Sequence, residues 1–184
     1  MKTLRIAIFI LVALAQLSVP AMLAWGRIQT LAHGRIWKFK TAPVDPEDAV
    51  RGRYIQLRLM AEDFTQPEKL VATDRVYAVL KETPEGFAEI DHISITRLGG
   101  DNVIQVEPGG NWDDKQHFRI PFDRFWVTEK SAPEAEKMYR ENSRRGKENA
   151  YVTVRVRNGD GALEQLYIDN QPLADYLRAQ AAKK

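Results

Sequence analysis

From Ile6 to Trp25 the chain is apolar almost without a break, interrupted only by Gln16, Ser18 and Pro20. At about 1.5 Å of rise per residue, about 20 residues cross roughly 30 Å of hydrocarbon, so the pattern predicts a transmembrane helix with Trp25 at the water interface. Ser18 can return its hydroxyl to a carbonyl of its own helix. Gln16 carries an amide that is costly to leave unpaired in hydrocarbon, which points to a helix face turned toward a partner. A cleaved signal peptide is the competing reading, since Lys2 and Arg5 form a basic start and Val19-Pro20-Ala21 offers small residues. The apolar run is nevertheless longer than an ordinary signal core and continues past Ala21 through Met22, Leu23, Ala24 and Trp25.

Beyond the anchor the apolar period falls to two. Gly34 to Thr41 sets Trp37, Phe39 and Thr41 against Ile36, Lys38 and Lys40, a half-buried strand whose basic face could meet anionic lipid headgroups. Arg53 to Ala61 predicts a strand with Ile55, Leu57, Leu59 and Ala61 toward the core and Tyr54, Gln56 and Arg58 available to a partner. Val76–Lys81 and Phe87–Arg97 follow as strands around Thr83-Pro84-Glu85-Gly86. Val103–Val106 is bounded by Pro108-Gly109-Gly110, and an Asn111–Lys115 loop holds Trp112 beside Asp113 and Asp114. That tryptophan covers a sheet end or serves as a sugar platform. His117 to Thr128 predicts one long strand that Pro121 confines to an edge or a bulge. Ser131-Ala132-Pro133-Glu134 spells a capping box opening a helix to about Arg145, with Gly146 as its stop. Asn158-Gly159-Asp160-Gly161 joins strands Tyr151–Arg157 and Leu163–Ile168, and Pro172–Ala182 predicts a short amphipathic helix.

This succession predicts a mainly β (α+β) fold: an antiparallel sheet or small barrel with one mid-domain helix, on an N-terminal transmembrane helix. The division expected is an anchor over 1–30 and a β-rich domain over 31–184. The 184 residues carry a net charge of +2 with acids and bases interspersed, which argues against nucleic acid as a partner. There is no cysteine, and the three histidines, His33, His92 and His117, fall in no ligand pair, so neither a metal nor a cofactor is expected. A membrane-anchored hydrolase of the Ser/Lys type, resembling signal peptidases, needs an activated serine near the membrane end. No serine lies between Thr41 and Arg51, while Ser94 falls in a strand and Ser131 and Ser143 fall at helix ends. The expectation is therefore a non-enzyme.

Pro43 to Leu59, PVDPEDAVRGRYIQLRL, joins the two regions. Pro43 and Pro46 fix φ, Asp45 can cap a short turn, and Gly52 can end it before the next strand. The stretch resembles the GDYXXLXY family, named for a Gly-Asp-Tyr-x-x-Leu-x-Tyr motif that follows a Pro-x-Asp-Pro-x-Asp segment. Pro43, Asp45, Pro46 and Asp48 match the lead-in, and Arg51, Gly52, Tyr54 and Leu57 match the motif. Arg53 and Leu59 stand where the family has Asp and Tyr. A second block, Arg124, Phe125, Trp126, Val127 and Glu129, is similar to the family's Arg-aromatic-aromatic-Val-Pro-Glu, with Thr128 in place of proline. The resemblance implies an exported domain on a single-pass anchor in the bacterial inner membrane, facing the periplasm. Turn formers, aromatics and arginines suit contact better than proton transfer. The functional expectation is thus an accessory domain in the lipid bilayer that docks on a polytopic membrane protein through the Pro43–Leu59 edge, Arg58 included, and the Gln16 face. An envelope lipid or glycan module is the alternative of another class.

Overall fold

The computed structural model describes residues 2–42, 54–66, 76–112, 115–144 and 146–182. The apolar N-terminal stretch is one helix, α1 (Lys2–His33), about 48 Å long at 1.5 Å per residue. It runs through Pro20 without a break and is long and apolar enough to cross a membrane, with none of its most apolar stretch buried in the protein. Ser18 bonds back to the Ala15 carbonyl at 2.7 Å, as expected. The helix outlasts the predicted span, and its last turn is part of the domain: Thr30 is buried and Gln29 accepts a hydrogen bond from Arg157 at 3.4 Å.

A single residue separates α1 from β1 (Arg35–Lys40). Gly34 donates to the Thr30 carbonyl at 2.8 Å, and a β-carbon there would come within 2.5 Å of that oxygen and 3.0 Å of the Val156 carbonyl. Only glycine lets helix and sheet approach this closely. β1 has the expected alternation, with Trp37 and Phe39 buried and Ile36 and Lys38 exposed.

β2 (Tyr54–Gln56) is shorter than predicted, because the chain turns through a 3-10 helix at Met60–Asp63 before a two-residue β3 (Thr65–Gln66). The facing is nonetheless as read: Ile55, Leu57, Leu59 and Ala61 are all buried, whereas Arg58 is exposed. β4 (Val76–Glu82) and β5 (Ala88–Ser94) make the expected hairpin, with Gly86 at φ 81°. The boundary expected at Pro108-Gly109-Gly110 is not one. β6 (Val103–Trp112) passes through it, and the residues form a bulge against β7 (Lys115–Arg119) between Pro108 and Asn111. Asp113 and Asp114 lie outside the described residues.

The long strand expected over His117–Thr128 is two strands in different sheets. β7 ends at Arg119, the chain bends at Pro121, and β8 (Arg124–Trp126) leaves in a new direction, so proline breaks the ladder rather than marking its edge. α2 (Ala132–Asn142) starts where expected and ends three residues early, at Asn142. Its Ser131 makes no side-chain cap; the hydroxyl bonds instead with Thr128, at 2.7 Å to the hydroxyl and 3.1 Å to the carbonyl. β9 (Ala150–Arg157) and β10 (Asp160–Ile168) close over Asn158 and Gly159, at φ 50° and 91°, a type I′ pattern. β11 (Gln171–Pro172) and α3 (Leu173–Ala181) finish the chain, with Leu173 buried.

The described strands form one four-stranded sheet in the order β1-β9-β10-β11, one five-stranded sheet in the order β3-β7-β6-β4-β5, and the pair β2-β8, all with antiparallel neighbours. The two large sheets meet where Gln105 of β6 donates to the Gly159 carbonyl at 2.9 Å. Between them a continuous core runs from Trp37, Phe39, Val152, Val154 and Leu166 to Ala78, Ile104, Val106 and Phe118. The fold is mainly β on an N-terminal apolar helix, as the period-two pattern predicted.

Candidate functional site

The two sequence blocks picked out for their turns, aromatics and arginines lie some 70 positions apart in the chain (about 3.5 Å of extended reach each) yet fold onto one another. β2 and β8 pair antiparallel, with Tyr54 opposite Trp126, Ile55 opposite Phe125 and Gln56 opposite Arg124. The ladder continues as Leu57 donates to the Asp123 carbonyl at 2.8 Å. Alternation then sorts the side chains. Ile55, Leu57, Phe125 and Val127 turn to the core, while Tyr54, Gln56, Arg124 and Trp126 turn outward.

On the outward face the Trp126 ring meets Tyr54 edge-on, centroids 5.5 Å apart, and the Arg124 guanidinium lies 5.2 Å from the Tyr54 ring. These contacts hold the face together without hiding it, because Trp126 stays 66% exposed. Trp, Tyr and Arg are the residue types enriched at the energetic centres of protein interfaces. Glu129 is exposed in the turn before α2. Arg58, exposed just beyond the end of β2, is paired with Asp63 at 2.5 Å. Gln16 is exposed on α1, eleven positions before Arg27, and is not brought to the same place. Pro43, Asp45, Pro46, Asp48, Arg51 and Gly52 lie outside the described residues.

Below the ribbon two residues that the sequence reading passed over hold it in place. Glu62 accepts hydrogen bonds from the Leu59 N–H at 3.2 Å and the Ile120 N–H at 2.9 Å, joining the chain just after the first block to the chain just before the second. Burial pushes its carboxyl above the usual 4.5, although these two bonds and the nearby Arg58 and Arg119 pull the other way. The available signal was a glutamate three places after Leu59, the spacing of a reciprocal cap. Tyr139 of α2 is buried under the ends of β1 and β2, and burial pushes its phenol up to about 12. Thr41 and the Arg58 backbone lie beside its hydroxyl and favour the phenolate a little. Neither is aligned for a hydrogen bond, and the Thr41 hydroxyl is given to the Ala150 carbonyl at 2.9 Å.

The serines are engaged locally: Ser94 with Thr96 in an exposed bend, Ser131 with Thr128, and Ser143 buried at the end of α2. Among the described residues no three His, Cys, Asp or Glu side chains converge as metal ligands would. The Lys38 and Lys40 face of β1 is occupied as well, with Lys40 paired to Glu85 at 2.6 Å and Lys38 lying 5.9 Å from the Tyr151 ring.

A groove of about 540 Å³ borders the ribbon where β8 comes near α1 and β10. Arg27, Asp123, Arg124, Trp126 and Leu163 are among its walls.

These features define a class: a mainly β domain on an N-terminal apolar helix of membrane-spanning length, with an outward ribbon of paired aromatic and arginine blocks. Residues 16–166 match the model of the GDYXXLXY protein family, and the chain belongs to that family. No curated protein and no solved structure matches it.

Proposed function

We propose that this is a non-catalytic accessory protein of the bacterial inner membrane, held by α1 with its domain on the periplasmic side, that docks on a polytopic membrane protein. The observation that carries the reading is the β2–β8 ribbon: the two blocks that mark the family meet in one small sheet and leave Trp126 open beside Tyr54 and Arg124. A tryptophan gains most when its surface is taken from water, and an arginine supplies directional hydrogen bonds at the same spot. Gln16, exposed on the helix, offers the same partner a hydrogen-bonding contact within the bilayer.

Site-specific photocrosslinking in intact cells tests this. A crosslinker at Trp126 or Tyr54, and another at Gln16, is expected to capture one and the same multi-pass membrane protein. Arg178 on the far helix α3, 81% exposed at its side chain, serves as the control and should capture none of it. No adduct from the ribbon, or equal capture from Arg178, overturns the docking reading. A reporter fused after Lys184 checks the side of the membrane, and activity confined to the cytoplasm reverses it.

A further inference from the structure

Arg27 stands three residues before Thr30 on α1, so the two share a helix face one turn apart. Thr30 is buried beneath the domain, and Arg27, one turn nearer the bilayer, emerges where the domain ends and the groove opens. Trp25 lies two residues away along the same helix, about 3 Å in axial rise, and is exposed at the depth where interfacial tryptophans sit. With α1 spanning the bilayer, the groove therefore faces the headgroup layer.

Its walls have the chemistry of that layer. Asp123 is 3.6 Å from Arg124, so these two are close to balanced. Arg27 has no ion-pair partner among the described residues and leaves the groove with one uncompensated positive charge. Trp126, largely exposed, and Leu163, half-buried, add apolar surface to the same groove. A guanidinium binds a phosphodiester through paired N–H donors, and a singly charged phosphodiester neutralises the excess. A headgroup that also carries choline or ethanolamine brings a second cation against Arg27 and gains less.

We propose that this groove seats the headgroup of an anionic glycerophospholipid, its phosphate on Arg27 and Arg124 and its glycerol end against Trp126 and Leu163. The groove shares Arg124 and Trp126 with the docking ribbon, but the proposal rests only on α1 being the membrane anchor.

The experiment uses the full chain, extracted in mild detergent, exposed to phosphatidylglycerol or phosphatidylcholine and examined by native mass spectrometry. One phosphatidylglycerol is expected to stay bound in preference to phosphatidylcholine. The double variant Arg27→Ala, Arg124→Ala is expected to lower that retention by about tenfold or more, the scale of one or more lost charge-assisted bonds. Leu163→Trp, which fills the groove and leaves its charge alone, should lower it too, whereas Arg178→Ala should not. Thermal melts confirm that each variant is folded. Equal retention of the two lipids, or unchanged retention in both groove variants, overturns the proposal. So does displacement of the lipid by free glycerophosphoglycerol at matched concentration, which assigns the groove to a soluble phosphodiester. A chain that leaves the membrane without detergent overturns the anchor reading itself, an outcome distinct from a membrane-bound chain with no headgroup preference.

Discussion

Replacing Glu62 by alanine tests how the two family blocks are held together. The carboxylate is the acceptor for the N–H groups of Leu59 and Ile120, and both residues are 1% exposed, so water has little access to replace it. A hydrogen bond to a charged group contributes about 1.5–3 kcal/mol, and the bond at 3.2 Å belongs at the weak end of that range. Against this, the variant no longer carries the burial cost that raises the Glu62 pKa. The net loss expected is about 2–3 kcal/mol, which for a domain of this size lowers the melting temperature by roughly 4–12 °C. Glu62→Gln keeps one acceptor and should lose about half as much.

The pH dependence has a definite sign. Because the folded chain holds this proton to higher pH than the unfolded chain does, the stability linked to Glu62 is full below 4.5 and declines as pH climbs through the raised native value. The alanine variant lacks that slope, so the wild-type advantage should narrow from acid toward neutral pH. Circular-dichroism melts of the detergent-solubilised chains across this range provide the assay. A variant melting within about 1 °C of wild type refutes the clamp, and a gap that widens as pH rises refutes the dominance of burial over the two hydrogen bonds at Glu62.

Tyr139→Phe removes a buried hydroxyl that lacks an aligned partner and should leave stability unchanged or raise it by up to about 1 kcal/mol; a loss above that in denaturant titration would show a hydrogen bond to the hydroxyl. Gly34→Ala sets a methyl against two backbone carbonyls that cannot swing aside, with an expected cost of about 1–3 kcal/mol in thermal melts. Gly159→Ala forces alanine to φ 91° and should cost about 1–3 kcal/mol by the same measurement, the toll of a strained turn residue. Trp126→Ala, at an exposed position, should change stability by no more than about 1.5 kcal/mol, the scale of its ring contact with Tyr54, while abolishing crosslinking from Tyr54.

Much of this architecture was legible because local chemistry and burial agreed. Asn158-Gly159 supplies the positive φ values of a tight hairpin, and the alternation at Trp37 and Phe39 or at Ile55, Leu57 and Leu59 reports the buried side even where the strand itself stops short. Proline and glycine were harder to read, since their effect depends on what lies opposite. Pro108-Gly109-Gly110 is absorbed as a bulge because β7 supplies a partner, whereas Pro121 ends its strand and sends β8 to another sheet. Ser131 illustrates competition between neighbours: Thr128, three residues back, takes the hydroxyl that the capping pattern reserved for the helix. At the site, the residue types of both blocks stood out from the sequence, but their meeting did not, because strand pairing across such a separation leaves no periodic trace. The groove escaped for the same reason, being assembled from distant segments, and so did the half of the Glu62 clamp that reaches Ile120, whereas its bond to Leu59 had a local spacing that the reading passed over.

The glycine between α1 and β1 also sets an angular relation. Since one unbroken helix enters the sheet with no slack, Gln16 and Trp126 point in directions fixed relative to each other, and turning the helix about its axis turns the domain with it. One extra residue in α1 between them would twist that relation by about 100°, and about seven would bring it nearly back while lifting the domain roughly 10 Å. A rotation made inside the bilayer is thereby delivered, undiminished, to the surface outside it.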